Sequence, residues 1–401
     1  MANHTHRSYF LRLECPQCQR VFDPHQLQTF CPDCRGPLVS HYDLESVRRH
    51  TDRDSLAARP RGMWRWAELL PVFDPAKIVS LGEGDTPTLH LPHLGAQIGM
   101  PHLLLKDESL NPTGSFRARG LAGAISKAHE LGVERVIIPT AGNAGGAMAA
   151  YASRAGMQAA VYMPKDTPQA NMLETRITGA EVHLVDGLIS DAAALAGARA
   201  RDEGWFDVST FKEPYRLEGK KVMGLEIAES LGWQLPDVIL YPTGGGTGLV
   251  GIWKALKELE ALGWLETKSF PRMVAVQADG CAPVVKAFDE NADTCQMWQG
   301  AQTLASGLRV PKSFADRLIL QTLRESGGTA VAVSDSDILA AQRHLAAAEG
   351  LFVAPEGAAT LAALQTLQRR QWVRPDERVL LLNTGTGLKY LESSFPEEFA
   401  H

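Results

Sequence analysis

Apolar and polar positions follow two rhythms along this chain, and the change between them near residue 79 organises it. Beyond that point short β-branched runs alternate with Ala-rich stretches. Val133–Thr140 (VERVIIPT), Ala159–Met163, Glu181–Val185, Asp237–Tyr241 (DVILY), Met273–Gln277 and Arg378–Leu382 predict strands. Asn143–Gly156 and Gly248–Leu262 predict helices. Strands that are apolar throughout, rather than on alternate residues, suit a sheet covered on both faces. Separated by helices, they predict βαβ units with buried parallel strands. Residues 1–45 are turn-rich and carry cysteines. Residues 46–78 mix Arg, Pro and Trp (Arg59-Pro60-Arg61, Trp64, Trp66) and read as a linker with a helical piece. Residues 79–401 form the α/β body. There is no internal repeat and no low-complexity segment.

Composition narrows the function classes. A chain of 401 residues exceeds one ordinary domain, and 45% hydrophobic residues can fill a sizeable core. The formal net charge is -6 without a basic block, which argues against a nucleic-acid partner. No apolar run approaches the ~20 residues of a membrane helix. Met1–Arg12 has no apolar core followed by a small-residue cleavage site, so the expected location is the cytoplasm.

Three strands end in polar, glycine-rich turns. Thr243-Gly-Gly-Gly-Thr-Gly248 follows Asp237–Tyr241 and precedes a helical stretch. Glycines there let backbone N–H groups converge on an anion, and the helix start adds partial positive charge. No Gly-Lys-Ser/Thr follows, so this is not a Walker loop. The other two turns are Thr140–Gly146 and Asn383–Gly387. Carboxyl ends of parallel strands open on one sheet edge, which predicts that all three surround a single small ligand.

Four of the six cysteines fall in two CxxC pairs, Cys15/Cys18 and Cys31/Cys34, twelve residues apart. Each pair grips a metal from a tight turn, and together they complete a tetrahedral sulfur site. A structural zinc ribbon is expected, with a rubredoxin-like iron site as the lesser alternative. Gly36 suits the second turn. Cys281 and Cys295 read as core or surface thiols.

The segment Lys106-Asp-Glu-Ser-Leu-Asn-Pro-Thr-Gly-Ser-Phe-Arg-Ala-Arg-Gly120 resembles the lysine segment of the threonine synthases, which bind pyridoxal phosphate (PLP). Leu81–Pro87, Gly142-Asn143, Pro214–Lys220, Thr243–Gly248 and Thr384–Lys389 are similar to further motifs of that family, in the same order. The resemblance implies a fold-type II, tryptophan synthase beta-like architecture of two parallel-sheet α/β lobes with PLP between them. It also implies a homodimer, and conversion of O-phospho-L-homoserine and water to L-threonine and phosphate. By resemblance Asn143 meets the ring hydroxyl of PLP. Gly244, Gly245, Gly246, Thr247 and Gly248 hold its phosphate, and Thr384 faces its ring nitrogen. Arg216 clamps the substrate phosphate. Ala144 and Gly145 offer backbone N–H groups to the substrate carboxylate.

One residue departs sharply. Arg117 occupies the position of the family's Schiff-base lysine. That bond needs a neutral amine, and a guanidinium stays protonated with its lone pairs delocalised. The site is then disabled by design or by chance, or the chain is a non-catalytic PLP or amino-acid binding protein. Otherwise Lys106, Lys220 or Lys389 supplies the amine. Relocation ranks lowest, because the amine must reach one particular carbon. A milder departure is Ala144-Gly145-Gly146, where the family carries hydroxyls. It keeps threonine or serine dehydratase chemistry open as an alternative.

Overall fold

The computed structural model describes residues 7–266 and 269–398, so the first six residues of the leader reading lie outside it. Thirteen strands are found among the described residues: β1 Phe10–Glu14, β2 Val21–Phe22, β3 Val39–Tyr42, β4 Thr88–His90, β5 Leu103–Asp107, β6 Arg135–Pro139, β7 Gln158–Pro164, β8 Glu181–Val185, β9 Phe206–Asp207, β10 Val238–Pro242, β11 Arg272–Ala278, β12 Thr329–Val333 and β13 Val379–Asn383. They make three sheets. A six-stranded sheet runs β12-β11-β10-β13-β5-β4, a four-stranded sheet runs β8-β7-β6-β9, and a small sheet runs β2-β1-β3. Only β4 is antiparallel in the first, and the second is parallel throughout.

The central strands are buried along their whole length, as both-face coverage requires. Every residue of β10 and β13 is buried, with Val238, Leu240, Leu380 and Leu381 at 0% exposure. In register, Leu240 pairs with Leu381 and Leu381 with Leu105. The strand ends at Pro242, Asn383 and Asp107 therefore fall on one edge.

Four helices build the site: α1 Arg117–Glu130, α2 Asn143–Arg154, α3 Tyr215–Ser230 and α4 Thr247–Leu262. Helix α3 has no solvent-exposed side before its last turn. It is buried from Tyr215 to Ala228 because α1 and α4 cover it from two sides. Glycines allow that closeness. A Cβ on Gly120 would lie 3.0 Å from the Arg216 carbonyl, and one on Gly251 3.1 Å from the Lys221 N–H. A Cβ on Gly219 would overlap the Arg119 carbonyl outright. Several of the charged residues driven inside by this sandwich are paired. Lys221 bonds Glu218 and Glu258 at 2.8 Å each, and Arg119 bonds Glu108 and Glu226 at 2.6 Å. Buried ions are tolerated on those terms.

The amino-terminal sheet docks on the body of its own chain. Phe10 stacks on Phe73 at 5.9 Å, and Lys221 Nζ lies 3.9 Å from the Tyr42 ring centre. Residues 46–78 carry a 3₁₀ segment, Met63–Leu69, whose Trp66 is buried against Trp233. Among the described residues no helix is long and apolar enough to cross a membrane.

Candidate active site

Two of the three glycine-rich turns come from one sheet and the third from another. Residues 243–248 follow β10 and 383–387 follow β13, both in the six-stranded sheet. The turn at 140–146 follows β6 of the four-stranded sheet. The expectation of one shared sheet edge is corrected accordingly. The turns meet because the two sheets face each other. Asn143 Nδ2 donates to the Tyr390 hydroxyl at 3.0 Å, just beyond the third turn. A Cβ on Gly385 would lie 3.5 Å from Asn143 Nδ2. A Cβ on Gly244 would overlap the Gly307 carbonyl.

Between the sheets lies a cavity of about 260 Å³, lined among others by Arg117, Asn143, Ala144, Arg216, Gly245 and Tyr390. Gly244, Gly246, Thr247, Gly248 and Thr384 stand behind this lining. Thr384 is buried, and its carbonyl accepts the Phe116 N–H at 3.1 Å. Gly145 faces away, its Cβ position 2.7 Å from Met163 Cε and 2.8 Å from Thr140 Cγ2.

The turn at 243–248 is shaped by what its glycines exclude. Gly246 takes a left-handed φ of 78°. Its Cβ would strike Ile319, that of Gly248 would strike the Tyr241 hydroxyl, and that of Gly245 lies 2.7 Å from Thr210 Cγ2. The N–H groups of Gly244, Gly245 and Gly246 find no protein acceptor among the described residues. Free donors at a helix start form an anion cradle.

The strongest polar feature is Arg216, 1% exposed. Its Nη1 donates to the Val208 carbonyl at 2.8 Å, while Nε and Nη2 have no partner. Burial, opposed by Glu213 and reinforced by the nearby Arg117 charge, lowers this guanidinium to about 10. Glu213 accepts the N–H groups of Tyr215 at 2.7 Å and Arg216 at 3.0 Å, yet burial raises it to about 7. Opposite, the buried Glu356 carboxylate accepts the Gly307 N–H at 2.7 Å, and burial raises its pKa as well. The Asn143 Oδ1, the Ser115 hydroxyl and the Ser306 hydroxyl are buried without partners.

The three lysines weighed against Arg117 differ in place. Lys106 is spent on Glu226 at 2.8 Å and the Thr86 carbonyl at 2.6 Å. Lys389 is spent on Glu174 at 2.6 Å and the Thr113 carbonyl at 2.7 Å. Lys220 lies against Thr247 of the glycine turn. Arg117 itself is half-buried, with its guanidinium 5.0 Å from the Phe116 ring centre. Sequence reasoning missed Tyr390, Ser306, Glu213 and Glu356. Tyr390 and Glu213 had a local signal, since they directly flank the Thr384–Lys389 and Pro214–Lys220 segments.

The cysteines form a separate centre. The Sγ atoms of Cys15, Cys18, Cys31 and Cys34 lie within 4.8 Å of one another, a spacing that suits a metal ion. The left-handed residues of the two knuckles are Gln19 (φ 62°) and Arg35 (φ 54°), so the conformation expected of Gly36 falls one residue earlier. Arg35 N–H donates back to the Cys31 carbonyl at 2.8 Å. Cys281 and Cys295 are both buried.

Comparison with known proteins agrees with this geometry. Residues 79–385 match the family model described as pyridoxal-phosphate dependent enzyme. The chain is 35% identical over 376 residues to a threonine synthase of Methanocaldococcus jannaschii, covering 94% of this chain and 92% of that one. It is 37% identical over 339 residues to a threonine synthase of Synechocystis, covering 84% and 85%. Among solved structures it is similar to the processed threonine deaminase isoform 2 of Solanum lycopersicum, with TM-score 0.67, 20% identity, and 94% and 98% coverage. That likeness shows the fold.

Proposed function

The chain belongs to the threonine synthase family of pyridoxal-phosphate-dependent enzymes, and from that premise we propose that its cavity binds PLP and a phosphorylated amino acid of the O-phospho-L-homoserine kind, with the covalent step withheld by Arg117. The observation that carries this reading is Arg216, a buried guanidinium with two unspent donors in the same cavity as Asn143 and Gly245. Guanidinium matches phosphate as a planar fork.

The residues present support non-covalent binding of the cofactor at its phosphate and its ring hydroxyl. The free N–H groups of Gly244, Gly245 and Gly246, with the excluded Cβ positions of these glycines and of Gly248, suit its phosphate. The unpartnered Asn143 Oδ1 suits the ring hydroxyl. Thr384 is assigned to the ring nitrogen by family resemblance alone, since it does not line the cavity. When bound, PLP supplies an electron sink for carbanions at the α and β carbons of an amino acid. The protein's part is to orient and exclude water. Arg216 draws the substrate phosphate to the Val208 side of the cavity. The free start of α2, at Asn143 and Ala144, faces the carboxylate. Arg117 cannot give the neutral amine or the proton shuttle that the family's lysine provides.

Arg117→Lys should create a borohydride-reducible PLP adduct on residue 117 and start turnover of O-phospho-L-homoserine. A folded, PLP-supplied variant with no adduct at 117 would overturn this reading. Release of threonine and phosphate supports the synthase reaction, and ammonia with a keto acid would replace it by a dehydratase. Two finer statements accompany it: a structural zinc on Cys15, Cys18, Cys31 and Cys34, and a cytoplasmic homodimer. Metal analysis and light scattering test them.

A further inference from the structure

Helix α3 brings a second cation to the glycine turn. Lys220 stands one turn beyond Arg216, on the same face of the helix. Its stem crosses Gly120, where a Cβ would lie 3.0 Å from Lys220 Cε and 3.3 Å from Cγ. The glycine therefore clears a channel through the α1–α3 contact. At its end Nζ donates to Thr247 Oγ1 at 2.6 Å and lies 4.4 Å from the Phe116 ring centre. Thr247 is the first residue of α4, directly after the three adjacent glycines.

This lysine is 1% exposed, yet among the described residues no carboxylate lies within ion-pair distance of it. The other buried lysines, Lys106, Lys127 and Lys221, each have one. The charged groups facing Lys220 are Arg216 on its own helix, Arg117 from α1 and Glu213 from the preceding loop. Burial and the two arginines push its amine well below the usual lysine range, with Glu213 opposing. A buried amine among cations is stable as ammonium only when an anion arrives.

We propose that Lys220 is a cofactor-binding residue, whose ammonium meets the PLP phosphate held by the 244–248 turn. The inference rests on the reading that PLP occupies this cavity. It also assigns a different task to a residue weighed as a replacement amine. Nζ lies behind the cavity lining at the phosphate end, whereas Arg117 occupies the lining itself. Its charge compensates for part of the affinity lost with the covalent bond.

The test compares PLP with pyridoxal, which lacks the phosphate, on the full chain and on Lys220→Met, followed by tryptophan fluorescence. PLP binding should weaken about 10- to 100-fold in the variant, the range of a charge-assisted contact, with pyridoxal affinity unchanged. Unchanged PLP affinity, or equal losses for both ligands, overturns the proposal. So does a borohydride adduct mapped to residue 220. If the variant does not fold, calorimetry on the parent chain in buffers of different ionisation enthalpy decides. Above pH 7 PLP should bind with proton uptake and pyridoxal without it, and equal uptake sinks the proposal. A parent chain that binds neither ligand overturns the reading of the cavity as well, whereas binding without dependence on Lys220 overturns this inference alone.

Discussion

Arg216→Met should make the ligand-free protein more stable while removing its response to phosphate. The guanidinium is fully buried and held at about 10, against an ordinary range above 12. At ~1.4 kcal/mol per pH unit, its charged form is penalised by about 3 kcal/mol. The sign follows from the direction. A cation whose value is depressed in the folded state costs stability at every pH below that value, so the cost is fully present at pH 7. Methionine removes it and keeps the apolar stem. Against this stand the lost bond to the Val208 carbonyl, ~1 kcal/mol, and the lost cationic neighbour of Glu213. The net gain is about 1–2 kcal/mol. With an unfolding entropy of ~2.1 cal/mol/K per residue, this moves Tm by about 2 °C. The assay is thermal unfolding with and without inorganic phosphate. The parent chain should melt lower in plain buffer and rise with phosphate, while the variant starts higher and does not move. A variant that melts several degrees lower in plain buffer would show that Arg216 is satisfied without a ligand, and would refute the argument.

Further predictions follow from the same geometry. Glu213 is raised to about 7 by burial, so the stability tied to its protonation is present below the ordinary carboxylate range and lost as pH rises through 7. Glu213→Gln should therefore be more stable than the parent at pH 8 by about 3 kcal/mol, with the difference vanishing near pH 4, measured by urea denaturation. Gly219→Ala places a methyl group on the Arg119 carbonyl and should cost about 3 kcal/mol or more through forced separation of α1 and α3. A cost under 1 kcal/mol would show that these helices separate freely. Cys31→Ser should lower the zinc content relative to the parent chain, read by a colorimetric assay, and loosen the sheet that packs Phe10 on Phe73.

The sequence reading reached local chemistry and stopped where contacts become distant. The strand at Glu181–Val185 is found at those residues, and the helix expected over Gly248–Leu262 starts one residue earlier, at Thr247. β5 and β12 are not among the expected strands: Lys106 interrupts the apolar run of β5, and the short Ala/Val run of β12 does not by its pattern separate strand from helix. In the fold Lys106 is neutralised by Glu226, from a helix more than a hundred residues away. Arg216, by its residue type, suggests a surface ion pair. Only the resemblance marked it for a ligand, and only the structure shows its idle donors.

By itself the sequence determined what backbone and ligand chemistry demand within a few residues. The glycines at 244–246 are needed where a Cβ cannot fit, the two cysteine pairs offer the spacing that suits a metal, and Arg117 stands where the family has an amine. Tertiary structure decided which of these distant turns share a cavity, and from which sheets they come. It also decided that α3 lies between two helices, so that Arg216 and Lys220 are stripped of water and left without carboxylate bonds. Those properties depend on burial and on neighbours brought from across the chain, and no local pattern of residues specifies either.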